Sequence, residues 1–272
     1  DIADPADLPK TFTRELILRR MKQGTIQAAE KAEIRRRYDS ELAYTSFQLD
    51  RFLTALDALA GNTLLVIHSD HGEEFWEHQG FEHNHTLYDD VTRALLLIRP
   101  PHETPYVKRS SSPATLSDIG PTLLEYAGLP VQSFDGRSLK PDIQGDVTTP
   151  RPIPIGHLMY DKEAWGVVLN DRKYIIETMS GKQMLFDLNS DSGEHKNLAA
   201  ETDLAPYVRA LSIAHQMPAG PGWRIPISKN GPPVTIPLPA PAIAAGILDP
   251  EAGRNRRANL AWGERAKHTV SD

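Results

Sequence analysis

The pattern of apolar positions changes along the chain and separates regions of different predicted structure. From residue 25 to about residue 59, apolar side chains recur at helical spacing, which predicts one long helix with an apolar face. A short apolar run at Leu64–Ile67 predicts a strand that is buried on both faces, and a second run at Ala94–Ile98 predicts the next strand. Ser117 and Asp118 are predicted to cap a short helix, which Gly128 ends. We therefore expect an α/β fold with a mainly parallel sheet flanked by helices.

The pattern after about residue 150 is typical of antiparallel structure. Apolar segments flank Asn170-Asp171-Arg172, which predicts a hairpin, and Met184–Asp187 predicts a further strand. A helix is expected near residues 203–216. We predict three regions: a portion of an α/β domain over residues 1–150, a small antiparallel sheet with a helix over residues 151–217, and an extended tail over residues 218–272. Frequent prolines in the tail disfavour helices and central strands.

Composition excludes several classes of protein. Hydrophobic residues make up 40% of the 272 residues and charged residues 24%, which is typical of a soluble globular protein. The net charge is −6 with acids and bases interspersed, so no nucleic-acid surface is expected. The chain has no cysteine, which excludes disulfides and thiolate-bound zinc. Because it begins with Asp1 rather than methionine, we expect a trimmed or partial chain.

The strongest candidate chemistry follows the first predicted strand directly. Asp70 and His71 stand side by side there, and in α/β sheets ligands bind at the carboxyl ends of the strands. A carboxylate oxygen and an imidazole nitrogen are both good ligands for a divalent cation. Two such groups at the end of a buried strand need a partner to offset their desolvation, which predicts a metal site. Half of the ten histidines lie in this region: His68, His71, His78, His83 and His85.

Several motifs in a fixed order extend this candidate site into a family resemblance. Ser69–Glu73 is followed by a histidine-rich segment that ends in Leu87-Tyr88-Asp89-Asp90, and later blocks lie at 117–124 and 185–199. In order and spacing, these blocks resemble the sulfatase members of the alkaline phosphatase superfamily from about residue 38 to residue 199. Leu95 and Ser192 stand where the family usually has proline.

The resemblance implies both a fold and a set of roles. It implies part of an alkaline phosphatase-like fold and a sulfuric ester hydrolase, a sulfatase that cleaves sulfate esters with a bound metal ion. Asp70 and His71 occupy the positions of the metal ligands. The ion is expected to be divalent: calcium, or manganese or zinc because an imidazole stands beside the aspartate. His83 occupies a position that contacts the transferred group as a hydrogen-bond or proton donor, and His85 competes for this role.

Part of the family's machinery has no counterpart in this sequence. The family has an early strand that carries further metal-binding aspartates, and a nucleophile in a Cys/Ser-x-Pro-x-Arg motif. Ser111-Ser112-Pro113 lies after the metal motif and lacks the arginine, so we reject it. We expect the nucleophile and remaining ligands outside this chain, in a missing N-terminal part of the same protein, and we expect the isolated chain to be inactive. The expected substrate is a sulfate-ester, or phosphate-ester, small molecule or glycan.

Two alternatives remain open. Histidine beside the aspartate also occurs in phosphate or phosphonate monoester hydrolases and in phosphoethanolamine transferases of the same superfamily. The second alternative is a non-catalytic remnant with a structural or binding role, for which the absent nucleophile argues. The sequence leaves the oligomeric state and cellular location open, although the family includes periplasmic, secreted and membrane-associated proteins.

Overall fold

The computed structural model describes residues 13–59, 62–101, 106–107, 109–131, 134–146, 148–156, 164–177 and 180–215, and the backbone of 223–225 and 234–236. These residues form two compact units. The first contains the described residues up to His68, the hairpin Glu73–Glu82 and the strand that begins at Leu96. The second contains Ser69–Gly72, His83–Leu95 and the described residues from Tyr106 onward.

Two helices begin the first unit: α1 (Arg14–Lys22), which the sequence did not predict, and the long α2 (Ala28–Leu59). Glu30 holds the start of α2, because its carboxylate accepts the backbone N–H of Gln27 at 2.9 Å. The same carboxylate forms an ion pair with Arg20 of α1. Glu30 therefore satisfies a helix end and joins the two helices, which explains why this acid is buried.

The strands of the first unit pair antiparallel, so the predicted parallel sheet is not found in the described part of the chain. Strand β1 (Leu65–His68) pairs with β4 (Leu96–Arg99), and the short β2 (Glu74–Phe75) pairs with β3 (Phe81–Glu82). A parallel pair needs a long crossover, usually a full helix. The connection from β1 to β4 contains the β2–β3 hairpin and, as its one helix, the four-residue α3 (Asp89–Thr92), and the chain returns in the opposite direction.

Apolar surface on the first unit is less covered than the sequence predicted. Strand β1 is only half-buried, and Leu97 of β4 is exposed. On α2, Ile34 of the predicted apolar stripe is buried, whereas Leu42 and Phe52 are exposed. The described residues therefore leave apolar faces of α2 and of the β1–β4 pair open.

The second unit is built on a four-stranded antiparallel sheet. Its strands are β5 (Ile153–Gly156), β6 (Ala164–Leu169), β7 (Arg172–Glu177) and β8 (Gln183–Asp187), paired in that order. The predicted hairpin is present between β6 and β7. Its turn residues Asn170 and Asp171 both have positive φ, the conformation of a type I′ turn, which Asn and Asp tolerate.

Each face of this sheet has its own apolar cluster. One face packs against α6 (Ala205–Ala214), with Tyr174, Leu185 and Leu211 buried. The other face packs against Leu87, just before α3, with Ile175 and Phe186 in the same cluster. Side chains alternate along a strand, so neighbouring residues of β7 face opposite clusters.

Asp118 organises the remainder of the second unit, which contains α4 (Ile119–Tyr126) and α5 (Lys140–Gln144). Its fully buried carboxylate accepts the backbone N–H groups of Thr115 and Arg137, both at 2.8 Å, and pairs with Arg151. Asp118 stands at the N-cap position of α4, as predicted, but its side chain makes no cap hydrogen bond to α4. Instead, Thr115 and Asp118 form a capping box on the 3₁₀ turn Leu116–Asp118 that precedes α4. The predicted end at Gly128, which has positive φ, is confirmed.

The two ends of the chain lie mostly outside the described residues. The predicted entering loop over residues 1–10 lies outside them entirely. Within the predicted tail, two short strands, β9 (Trp223–Ile225) and β10 (Val234–Ile236), pair antiparallel, and the rest of 218–272 lies outside the described residues. The predicted division into three regions stays a prediction. None of the described helices is long and apolar enough to cross a bilayer.

The Asp118→Ala substitution should destabilise the second unit strongly. It leaves the Arg151 guanidinium without its buried partner and removes the acceptor for two backbone N–H groups. We expect a loss of about 3–5 kcal/mol in the free energy of unfolding, measured by urea titration. Asp146→Ala, at an exposed position, is the control and should change it by no more than about 0.5 kcal/mol. Equal effects of the two substitutions would contradict this role.

Glu33 of α2 should make stability depend on acid pH. Hydrogen bonds from Arg36 and then Arg37 lower the pKa of Glu33 to about 2, from an ordinary value of 4.5. Its contribution to stability is therefore complete above the unfolded pKa and is lost as pH falls through the folded pKa. We expect the difference in unfolding free energy between wild type and Glu33→Gln to shrink from about pH 4.5 to about pH 2. In an Arg36→Gln background this pH dependence should weaken, and an unchanged one would contradict the assignment.

Candidate functional site

Asp70 and His71 face each other directly after β1. The distance from Asp70 Oδ2 to His71 Nε2 is 3.5 Å. His71 Nδ1 lies 2.6 Å from the backbone carbonyl oxygen of Gly72. Because a carbonyl oxygen only accepts hydrogen bonds, Nδ1 carries the proton in the neutral ring, and the lone pair on Nε2 points to the side of the carboxylate. The pair therefore presents one oxygen and one nitrogen donor to a common point.

The backbone around this pair is held from both ends. Gly72 N–H donates to Val91 of α3 at 2.8 Å. A Cβ atom at Gly72 would collide with the carbonyl oxygen of Asp90, so only glycine permits this close approach. At the other end, Ser69 Oγ accepts the N–H of Leu95 at 2.8 Å. The segment that carries Asp70 and His71 is thereby fixed to the segment that contains α3.

His83 lies against His71, although a loop separates them in the sequence. The centroids of the two imidazole rings are 3.9 Å apart, and the ring planes are inclined by 33°. We call these three residues, Asp70, His71 and His83, the Asp70–His71–His83 cluster. The ring contact places the His83 imidazole beside the two predicted metal ligands.

His85, the predicted competitor of His83, contacts the backbone of its own loop. Its Nδ1 lies 3.4 Å from the carbonyl oxygen of His83. Asn84 between them has positive φ, so the chain turns sharply there. The structure thus brings His83 and not His85 into ring contact with His71, while the catalytic role of either histidine stays a prediction.

The donor set fits a divalent cation but does not complete its coordination. Among the residues that the structure describes, no group of three or more His, Asp and Glu side chains is arranged to hold one ion. The Asp70 side chain is 83% exposed and that of His71 is 34% exposed, so the pair is open on one side. Four or more ligands are usual for such an ion. Asp70 and His71 would therefore supply two of them, and the others would come from elsewhere.

A second group of charged residues, which sequence reasoning missed, lies beside α3. Lys173 of β7 has no exposed surface, and its Nζ lies 2.5 Å from Asp89 Oδ1 and 2.9 Å from Glu194 Oε1. Burial raises the pKa of Glu194, while the charge of Lys173 acts in the opposite direction. The one available signal was a lysine inside a predicted apolar strand. Nothing local indicated its partner Asp89, which is 84 positions away.

Known proteins with similar sequences are sulfatases. A model of the sulfatase family matches residues 11–129. Arylsulfatase K of Bos taurus is 29% identical over 212 residues, which cover 72% of this chain and 38% of that protein. An N-acetylglucosamine-6-O-sulfatase of Bacteroides thetaiotaomicron is 27% identical over 178 residues, covering 60% of this chain and 31% of that protein. The chain thus spans well under half the length of these relatives.

Solved structures extend the likeness to the fold. One protein, solved in complex with its substrate D-glucosamine-2-N,6-O-disulfate, matches with a TM-score of 0.58 at 25% identity, over 73% of this chain and 43% of that one. The phosphonate monoester hydrolase of Agrobacterium radiobacter matches with a TM-score of 0.55 at 24% identity, over 66% of this chain and 40% of that one. At this identity the second match concerns the fold alone. The chain therefore shares part of the alkaline phosphatase-like fold of these enzymes.

Mn²⁺ added to this chain should bind weakly and at the Asp70–His71–His83 cluster. We expect paramagnetic broadening of the His71 and His83 ring resonances before those of other histidines, because Asp70 and His71 supply two ligands. Asp70→Ala should remove this preference. The control is Asp57→Asn, which changes an exposed aspartate paired with Arg99 and should have no effect. Tight stoichiometric binding, or broadening that ignores Asp70→Ala, would contradict a two-ligand site.

Proposed function

We propose that this chain is part of a metal-dependent sulfuric ester hydrolase, because a model of the sulfatase family matches residues 11–129. The observation that carries the proposal is the contact between His71 and His83 beside Asp70. This contact brings the two candidate metal ligands, Asp70 and His71, together with His83, the candidate hydrogen-bond or proton donor to the transferred group. The pair is open on one side, so a ligand can reach both donor atoms.

In this proposal each residue of the cluster has its own role. Asp70 and His71 hold a divalent cation, through Oδ2 and Nε2 respectively. Gly72 accepts the hydrogen bond that keeps the proton on Nδ1 of His71. When bound, the cation neutralises negative charge on the sulfate oxygens in the transition state. His83 donates a hydrogen bond or proton to an oxygen of the transferred group.

The two ligands indicate a class of divalent metal ions and not one particular metal. A carboxylate alone would suit calcium, while the added imidazole suits manganese or zinc better. We propose calcium, or manganese or zinc, with the other ligands supplied from outside this chain. The nucleophile is proposed to lie there too, in an N-terminal part of the same protein.

The uncovered apolar surfaces of the first unit support the proposal that an N-terminal part of the same protein completes the site. Leu97 of β4 and Phe52 of α2 are exposed by more than half in the described structure. A single unpartnered strand pair beside a long amphipathic helix is also marginal by itself. We propose that further strands, contributed by the N-terminal part, extend β1 and β4 into the mainly parallel sheet that the sequence predicts.

We propose a sulfated sugar or glycan as the substrate. Two findings support this class: one relative is named an N-acetylglucosamine-6-O-sulfatase, and one structural neighbour was solved with a disulfated glucosamine as its substrate. The residues described here contact the ester group in this proposal. They do not distinguish one sugar from another.

A phosphate or phosphonate monoester hydrolase, or a phosphoethanolamine transferase, is the second candidate. The observation in its favour is the imidazole of His71 beside Asp70. A phosphate monoester carries more negative charge than a sulfate monoester, which favours a more strongly charged site with more cationic partners. A non-catalytic remnant is the third candidate, and the stacking of His71 on His83 argues against it.

The test is an assay of the polypeptide encoded by the complete reading frame. We expect hydrolysis of 4-nitrophenyl sulfate faster than that of 4-nitrophenyl phosphate, lost with EDTA and restored by Ca²⁺ or Mn²⁺. His83→Ala should lower kcat on the order of 10²-fold, because a general acid or donor contributes that much. His195→Ala, an exposed histidine outside the cluster, is the matched control and should leave kcat unchanged.

The three candidates predict different outcomes. Preference for the phosphate ester would support the second candidate, and hydrolysis of neither ester would support the third. A substrate with a good leaving group should lose less activity in His83→Ala than one with a poor leaving group. Equal losses of activity for the two substrates would contradict a proton-donor role for His83, and His85 would then be the candidate for that role.

A further inference from the structure

Lys173 has a fully buried ammonium group in the middle of an apolar sheet. On β7, Tyr174 faces the cluster that packs against α6, so Lys173 lies on the opposite face, where Leu87 packs. Burying a charge is costly unless it is paired and hydrogen-bonded. An apolar residue could fill this volume without that cost. The position therefore calls for an explanation beyond packing.

All the partners of Lys173 at 3.1 Å or less belong to the start of α3 or are bonded to it. Nζ contacts Asp89 Oδ1 at 2.5 Å, Glu194 Oε1 at 2.9 Å and the carbonyl oxygen of Leu87 at 3.1 Å. Glu194 in turn accepts the backbone N–H of Asp89. Lys173 and Glu194 thus hold the first turn of α3 by directional hydrogen bonds, which an apolar side chain cannot provide.

The other end of α3 contacts the residue next to His71. Gly72 N–H donates to Val91, and the backbone at Asp90 leaves no room for a Cβ atom at Gly72. Gly72 also accepts the hydrogen bond from His71 Nδ1. The four-residue helix α3 therefore links the buried lysine to His71. Lys173 is bonded to its first turn, and Gly72, which is bonded to the His71 ring, contacts its backbone.

We propose that Lys173 is a positioning residue for the Asp70–His71–His83 cluster. Its ammonium, together with Glu194, fixes α3 against the sheet, and α3 fixes Gly72 and with it His71. A rigid supporting shell of this kind is what a site needs to keep donor atoms in place. The role in catalysis rests on the proposed function, whereas the mechanical link from Lys173 to Gly72 does not.

Amide hydrogen exchange of the metal-free chain measures that link directly. In Lys173→Met, a substitution of similar length, we expect the protection of the Gly72 amide to fall at least about tenfold. The amides that pair β7 with β8 should keep their protection, because the ladder itself is not altered. Tyr174→Phe, next to Lys173 on β7, is the matched control: it removes the hydrogen bond from the Tyr174 hydroxyl to Gln183 of β8. It should leave Gly72 protection unchanged.

A second pair of variants covers the case in which Lys173→Met does not fold. Asp89→Asn keeps the side-chain size and leaves Glu194 to pair with Lys173, so it should fold and should lower Gly72 protection partially. Glu194→Gln keeps an acceptor for the Asp89 N–H and the Lys173–Asp89 pair, so it should preserve most of the protection. The order wild type, Glu194→Gln, Asp89→Asn, Lys173→Met is expected.

Two results would overturn the proposal. One is unchanged Gly72 protection in both Lys173→Met and Asp89→Asn. The other is a loss of protection that is equal at Gly72 and throughout the sheet, which is the signature of a merely structural lysine. In the active polypeptide, Lys173→Met should lower kcat and weaken the response to added metal. If that polypeptide hydrolyses no ester but Gly72 loses protection selectively, the proposed function fails and the positioning role stands.

Discussion

The close approach of Gly72 to α3 is the constraint on which the rest of the site depends. The backbone of Gly72 lies against Asp90 and Val91 without room for a side chain. This contact sets the position of His71, whose ring is bonded to Gly72, and the stacking on His83 follows from the position of His71. One glycine thus connects a helix of four residues to the imidazole of His71, one of the two donors that this chain is proposed to give the metal. A larger residue would separate the two segments before it altered any ligand.

Charged groups in this protein fall into two kinds that have opposite functions. Lys173 and Asp118 are fully buried, and each is satisfied by several partners, so their charges fix the structure and are closed to ligands. Asp70 is mostly exposed, and its carboxylate faces an imidazole nitrogen at a distance too long for a hydrogen bond. An open, incompletely satisfied pair is what a ligand site requires, because desolvation on binding is then offset by the incoming ion. In our proposal, the closed Lys173 pair holds the open Asp70–His71 pair in place.

In the part of the chain that the structure describes, the metal site lacks ligands, and the first unit lacks cover for its apolar surface. The described residues give two metal donors and leave apolar faces of α2 and β4 exposed, and the chain spans 38% of the length of arylsulfatase K of Bos taurus. Both kinds of incompleteness have one explanation in the proposal that further strands and ligands come from the same protein. Strand β1 was predicted to be buried on both faces, and in the described structure it is only half-buried.

The sequence by itself determined the features that depend on neighbouring residues. It predicted α2, the β6–β7 hairpin with its Asn170-Asp171 turn, the Asp70-His71 pair and the family, because spacing, turn chemistry and motif order are local properties. Tertiary structure decided the antiparallel pairing of β1 with β4, the contact of His71 with His83 and the burial of Lys173. Each of them depends on which distant segment lies alongside, and Lys173 and Asp89 are 84 positions apart. No periodicity encodes such a pairing, since it arises only when desolvation and packing select one partner in the folded chain.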